Sequence, residues 1–168
     1  MQWRWVLEST PNPSVLRVHV GHALTDRTIV TSPPAELERP LAGLLELDAV
    51  RTLDVHRYRI RLNLRPDADR VETAEHAAAI LLAGWGRPRS LEPDAGPRAF
   101  QVRHAGARTV AESAEMAVGH PLLEAVFAVD GVSEAIAGDD LVLVRLGRLF
   151  AWADAEPQVI RALAVRQR

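Results

Sequence analysis

Residues 121–144 read PLLEAVFAVDGVSEAIAGDDLVLV, and their order decides the fold. Pro121 and Leu122 open an apolar series through Leu123, Val126, Phe127 and Val129, spaced for one face of a helix whose first turn tolerates proline. Val129-Asp130-Gly131-Val132 then turns the chain, and Val142 and Val144 fall on one face of a strand. Residues 40–62, PLAGLLELDAVRTLDVHRYRIRL, repeat those signals. Pro40 and Leu41 open a helix through Leu44, Leu45 and Leu47, and Leu47-Asp48-Ala49-Val50 matches the turn. A step of 82 residues carries Ile60 onto Val142 and Leu62 onto Val144 (60 + 82, 62 + 82).

Outward from these blocks the same order recurs. Two short strands precede each, and an amphipathic helix closes each, over 67–82 and over 156–165, with acidic residues in the first turn where the helix end is positive. Between the copies, 84–97 reads GWGRPRSLEPDAGP, whose glycines and prolines disfavour both a helix and a central strand. The expected architecture is α+β: two tandem ββαββα two-layer units, each a mostly antiparallel sheet with two helices on one face. The first unit covers 1–85, a linker 86–97, and the second unit 98–168. Units of this size are near the lower limit for burying a core alone, so the copies are expected to pack together.

The chain has 168 residues, 48% apolar and 25% charged, a globular balance. Its 20 basic residues, all arginine, and 22 acidic ones leave a formal charge of -2, which gives no general pull toward nucleic acid or an anionic membrane. With no cysteine there is no disulfide, zinc-thiolate site, thiol nucleophile or thiolate-held iron–sulfur cluster. No stretch reaches membrane-spanning length and residues 1–9 hold no signal-peptide run, so a cytoplasmic protein is expected.

The most specific string is Thr10-Pro11-Asn12-Pro13-Ser14-Val15-Leu16-Arg17-Val18, a proline-stiffened turn feeding a strand. With Ser32-Pro33 and Pro40-Leu41-Ala42 it resembles the N-terminal domain of Nfu proteins, the NifU-like iron–sulfur scaffolds. The second copy supplies the rest of that pattern: Pro121-Leu122, Phe127, Val129-Asp130-Gly131-Val132, Gly138-Asp139-Asp140-Leu141-Val142-Leu143-Val144, Trp152, Pro157 and Ile160. The departures are complementary. The second copy has no Thr-Pro-Asn-Pro counterpart before Phe100, and the first has Ala49 and His56 where glycines are expected. Family members bind their cluster through a C-terminal Cys-x-x-Cys domain, a half this cysteine-free chain is expected to lack. The resemblance implies a domain that contacts protein partners, iron–sulfur assembly factors or client apoproteins.

Chemistry has few anchors. His19 and His22, with Asp26 following, converge on a metal only if Gly21 breaks the strand, and His56, His76, His104 and His120 are isolated; no metal site is expected. There is no nucleophile elbow, Walker loop or dinucleotide turn. The expected role is therefore non-catalytic, without cofactor: a protein-interaction module, with a small ligand-binding protein or enzyme using a site between the copies as the alternative. The candidate partner-binding residues are Thr10, Pro11, Asn12 and Pro13, and the arginines Arg57, Arg59 and Arg61 that share one strand face. That row reads either as a solvated face or as a surface for an acidic protein or RNA phosphate. In the 82-residue register Leu141 and Leu143 occupy the places of Arg59 and Arg61, and are expected to pack against the other copy or a second chain.

Overall fold

The computed structural model describes residues 3–31, 37–91 and 94–166, so Ser32 and Pro33 lie outside the described residues. The fold is a two-layer α+β arrangement of antiparallel sheets backed by helices. Strands β1 (Trp5–Ser9), β2 (Val15–Val20) and β3 (Ile29–Thr31) precede helix α1 (Arg39–Leu45); β4 (Val50–His56) and β5 (Arg59–Leu64) precede α2 (Arg70–Trp85). Their sheet has the order β1-β2-β5-β4-β3, with all neighbours antiparallel. β6 (Arg98–Ala111) then leads to α3 (Ala114–Ala117), α4 (Pro121–Phe127), β7 (Val132–Leu146) and α5 (Trp152–Arg166). β1 and α3 are additions to the ββαββα order.

Alternation drives the first sheet. In β5, Ile60, Leu62 and Leu64 are buried while Arg59 and Arg61 are exposed. β2 puts Leu16, Val18 and Val20 on the same inner side. Leu41 and Leu44 of α1, and Ala77, Leu81 and Trp85 of α2, close over that face. α1 carries its proline in the first turn. α2 starts three residues later than the sequence suggests, because the Asp69 carboxylate accepts the Val71 and Glu72 N–H groups as an N-cap, and it runs on through Gly84 and Trp85.

The second sheet repeats the register. Leu16↔Leu62, Arg17↔Arg61, Val18↔Ile60 and His19↔Arg59 become, on adding 82 to each number, Arg98↔Val144, Ala99↔Leu143, Phe100↔Val142 and Gln101↔Leu141, and all four pairs are formed. β7 doubles back on itself. Ser133 Oγ donates to the Arg145 carbonyl at 3.1 Å and Gly147 N–H to the Gly131 carbonyl at 2.8 Å, whereas a straight strand would separate Ser133 and Arg145 by about 40 Å. The reversal falls at Gly138 and Asp139, whose φ of 51° is a left-handed conformation that aspartate tolerates. Val142 and Val144 face a second buried cluster with Leu123, Val126 and Phe127 of α4 and Ala155, Val159 and Leu163 of α5. α5 begins at Trp152, four residues before the helix expected from sequence.

The connector is anchored at several points. Trp5 Nε1 donates to the Gly86 carbonyl at 2.7 Å, Arg89 N–H to the Trp5 carbonyl at 2.7 Å, and Trp152 Nε1 to the Gly96 carbonyl at 3.3 Å. Leu141 and Leu143 remain 40% and 37% exposed.

Candidate functional site

The two apolar clusters meet around the turn between β4 and β5. Tyr58, in that turn, is 1% exposed. Its hydroxyl donates to Asp130 Oδ1 at 2.8 Å and accepts the Gly131 N–H at 2.9 Å. Its ring meets Phe150 edge-on at 4.7 Å between centroids, and Phe150 packs against both clusters. A Cβ on Gly147 would lie 2.9 Å from Tyr58 Cβ, so glycine is what allows this approach. Burial pushes the Tyr58 phenol up to about 12.

Arg57 precedes it and belongs to the same contact. Its Nη1 donates to the Phe127 carbonyl at 2.6 Å, and the guanidinium lies 5.4 Å from the Tyr58 ring centroid and 5.8 Å from that of Phe127. The sequence pattern grouped Arg57 with Arg59 and Arg61 as a partner-binding row. The structure sets it in the turn outside β5, bound to the second half of the chain, where it lines one cleft with Arg59 while Arg61 does not.

Beside this contact lies a cleft of about 230 Å³ between the halves. From the first sheet come Glu8, Arg17, His19, His56 and Arg59, and from across the cleft Asp94, Glu112, Glu134, Arg145 and Arg148. The register explains the convergence: Glu8↔Arg17 and His19↔Arg59 are directly opposed pairs on the outer face, and His56↔Arg59 continues the row into β4. Several charges are already engaged. His19 Nε2 donates to Glu8 Oε2 at 2.7 Å, and Arg148 Nη1 lies 3.6 Å from Glu8 Oε1. Arg145 is 3.4 Å from Glu134 and 3.9 Å from Asp94. Among the described residues no carboxylate comes within 4.0 Å of Arg17 or Arg59. Burial lowers the His19 and His56 pKa values.

The structure brings Arg59 to the cleft and sets Arg61 beside it on the same face, opposite Arg17, with Asp54 at 3.9 Å. Thr10 is a different case. It is buried, and its hydroxyl lies 2.9 Å from both the Asn12 and the Val15 carbonyls, while Asn12 Oδ1 accepts the Ser14 N–H at 2.9 Å. The turn therefore locks the start of β2. Pro11, Asn12 and Pro13 are exposed but do not line the cleft. Glu8, Arg17, His19 and Arg145 were missed by sequence reasoning; the alternation of β2 places Arg17 and His19 on the face of Arg59, a signal that was available.

Among the described residues no three potential ligands form a metal-binding group, and the His104 side chain lies outside the described residues. His22 sits apart from the cleft, its ring 3.5 Å from that of Trp3, edge to face. No helix among the described residues is long and apolar enough to cross a membrane.

No family model matches the chain, and no curated protein matches it. Among solved structures, the crystal structure of the Staphylococcus aureus protein SAV1430 is similar to it, with 12% identity and a TM-score of 0.42, over 45% of this chain and 94% of that one.

Proposed function

We propose that the chain is a non-catalytic protein-interaction module built from two copies of one α/β unit, acting as an accessory or adaptor in iron–sulfur cluster assembly or delivery. The observation that carries the module reading is the Tyr58 clamp, which fixes the two halves so that the outer sheet faces open on one shared, charged cleft. A surface made by two rigidly joined sheets suits a macromolecular partner better than either sheet alone. The duplication draws support from the four strand pairs that recur at 82 residues. The partner class rests on the resemblance described from the sequence, and the location that goes with it is the cytoplasm. The test is calorimetric titration of the purified chain with iron–sulfur assembly factors and client apoproteins of its source. Saturable binding to one of them supports the assignment, and no binding to any removes it.

The cleft also favours a second reading, a small ligand held between the halves. Its volume of about 230 Å³ is below that of ordinary drug-sized pockets, so the ligand would be small and polar. A discrete added mass on the freshly purified chain under native mass spectrometry selects this reading.

A further inference from the structure

On β7 the side chains of Leu141, Leu143 and Arg145 alternate with the buried Val142, Val144 and Leu146, so the three share the outer face. Arg145 lines the cleft, and across the cleft stand Arg59 and Arg17 of the first sheet. An exposed apolar strip therefore runs into a cleft where Arg17 and Arg59 have no carboxylate within 4.0 Å among the described residues. Arg17 is directly opposed to Arg61, which Asp54 approaches at 3.9 Å.

We propose that this continuous surface docks an acidic segment of a partner protein, with carboxylates engaging Arg17 and Arg59 and adjoining apolar side chains covering Leu141 and Leu143. The inference rests on the interaction-module reading and supplies the chemistry of its partner. Charge complementarity selects a carboxylate, because a guanidinium presents paired donors to it. A nucleic-acid backbone fits less well, because the exposed leucine strip offers its phosphates nothing.

The test uses the full chain, 15N-labelled, titrated with the synthetic peptide Leu-Leu-Glu-Glu-Glu-Glu. Three comparison probes are Ser-Ser-Glu-Glu-Glu-Glu, Leu-Leu-Lys-Lys-Lys-Lys and a single-stranded RNA of about 12 nucleotides. The expected result is amide shift changes clustered at 15–20, 59–64 and 141–145, and affinity about tenfold weaker in the R17E/R59E variant. The Ser-Ser peptide, and L143S with the parent peptide, should each bind several-fold more weakly than the parent pair. R17Q/R59Q replaces the charge reversal if that variant melts early. Unchanged affinity in the folded arginine variant, shifts elsewhere, RNA binding tighter than the peptide, or no binding at all would overturn the proposal. Calorimetric binding of an iron–sulfur protein alongside a failed peptide titration would remove this surface and leave the module reading standing; peptide binding without any iron–sulfur partner would do the reverse to the partner class.

Discussion

The phenol of Tyr58 donates to Asp130 Oδ1 at 2.8 Å, joining the β4–β5 turn to the turn that precedes β7. Tyr58→Phe removes one buried donor and leaves the Gly131 N–H with Asp130 Oδ1 at 3.1 Å, so it is not orphaned. The expected loss is about 1–2 kcal/mol in denaturant unfolding. Combined with Asp130→Ala, the two losses should fall short of additive, because both remove the same bond. Strict additivity would show that the bond does not join the halves.

Tyr58 is the single tyrosine of the chain, so an alkaline absorbance titration reports it alone. Ionisation should appear near pH 12 in the folded protein and near 10 in denaturant. Between those values the folded state holds the proton that the unfolded state has released. This contribution to stability is therefore complete below pH 10 and is lost as pH rises toward 12. A folded-state inflection at pH 10 would contradict the burial of the phenol.

Gly119 and Gly131 both have positive φ, 87° and 91°, but only Gly131 is packed: a Cβ there would lie 2.6 Å from the Phe150 ring. Gly119→Ala should cost about 1 kcal/mol for the backbone conformation alone. Gly131→Ala adds overpacking of about 1–3 kcal/mol. Equal melting temperatures for the two variants would show that Phe150 moves aside freely.

Arg57→Lys is expected to behave as a damaging change. A lysine keeps the charge but not the planar group that donates to the Phe127 carbonyl while lying near two rings. About 1–3 kcal/mol should be lost, with binding of the acidic peptide retained in the folded fraction. A stable Arg57→Lys variant that has lost peptide binding would return Arg57 to the partner surface.

His22 is pushed down to about 4, by burial first and by Arg4 second, with Asp130 opposing. Burial lowers His19 and His56 as well. For each, the unfolded state binds the proton more readily, so stability is complete above pH 6.5 and falls with pH, reaching down to about 4 for His22. Ring proton titration by NMR should give a His22 inflection near 4, and His22→Gln should flatten the acid limb of the stability curve. An inflection at 6.5 would show His22 to be solvated.

Strand faces were legible because a period of two leaves a direct mark: Ile60 and Leu62, then Val142 and Val144, placed both inner faces and carried the pairing register with them. What alternation does not encode is where a strand stops. Arg57 shares the parity of Arg59, yet it lies two residues outside β5, and there its direction is set by the turn and by Phe127. The lining of the cleft was illegible for a related reason. It depends on the angle between two sheets, which is fixed by contacts of Tyr58, Asp130 and Phe150 that lie far apart in sequence. The connector was read from its glycines and prolines as a linker, and the indoles of Trp5 and Trp152 that bind its carbonyls give no local signal.

The clamp at Tyr58 also bears on rates. Two faces already held at one angle need no search through relative orientations when a partner arrives, so encounter complexes convert to bound ones without a slow closing step. Loosening the clamp by Tyr58→Phe would then lower the association rate constant for a ligand that spans both faces while leaving a ligand confined to one face untouched, even though Tyr58 itself is almost fully buried.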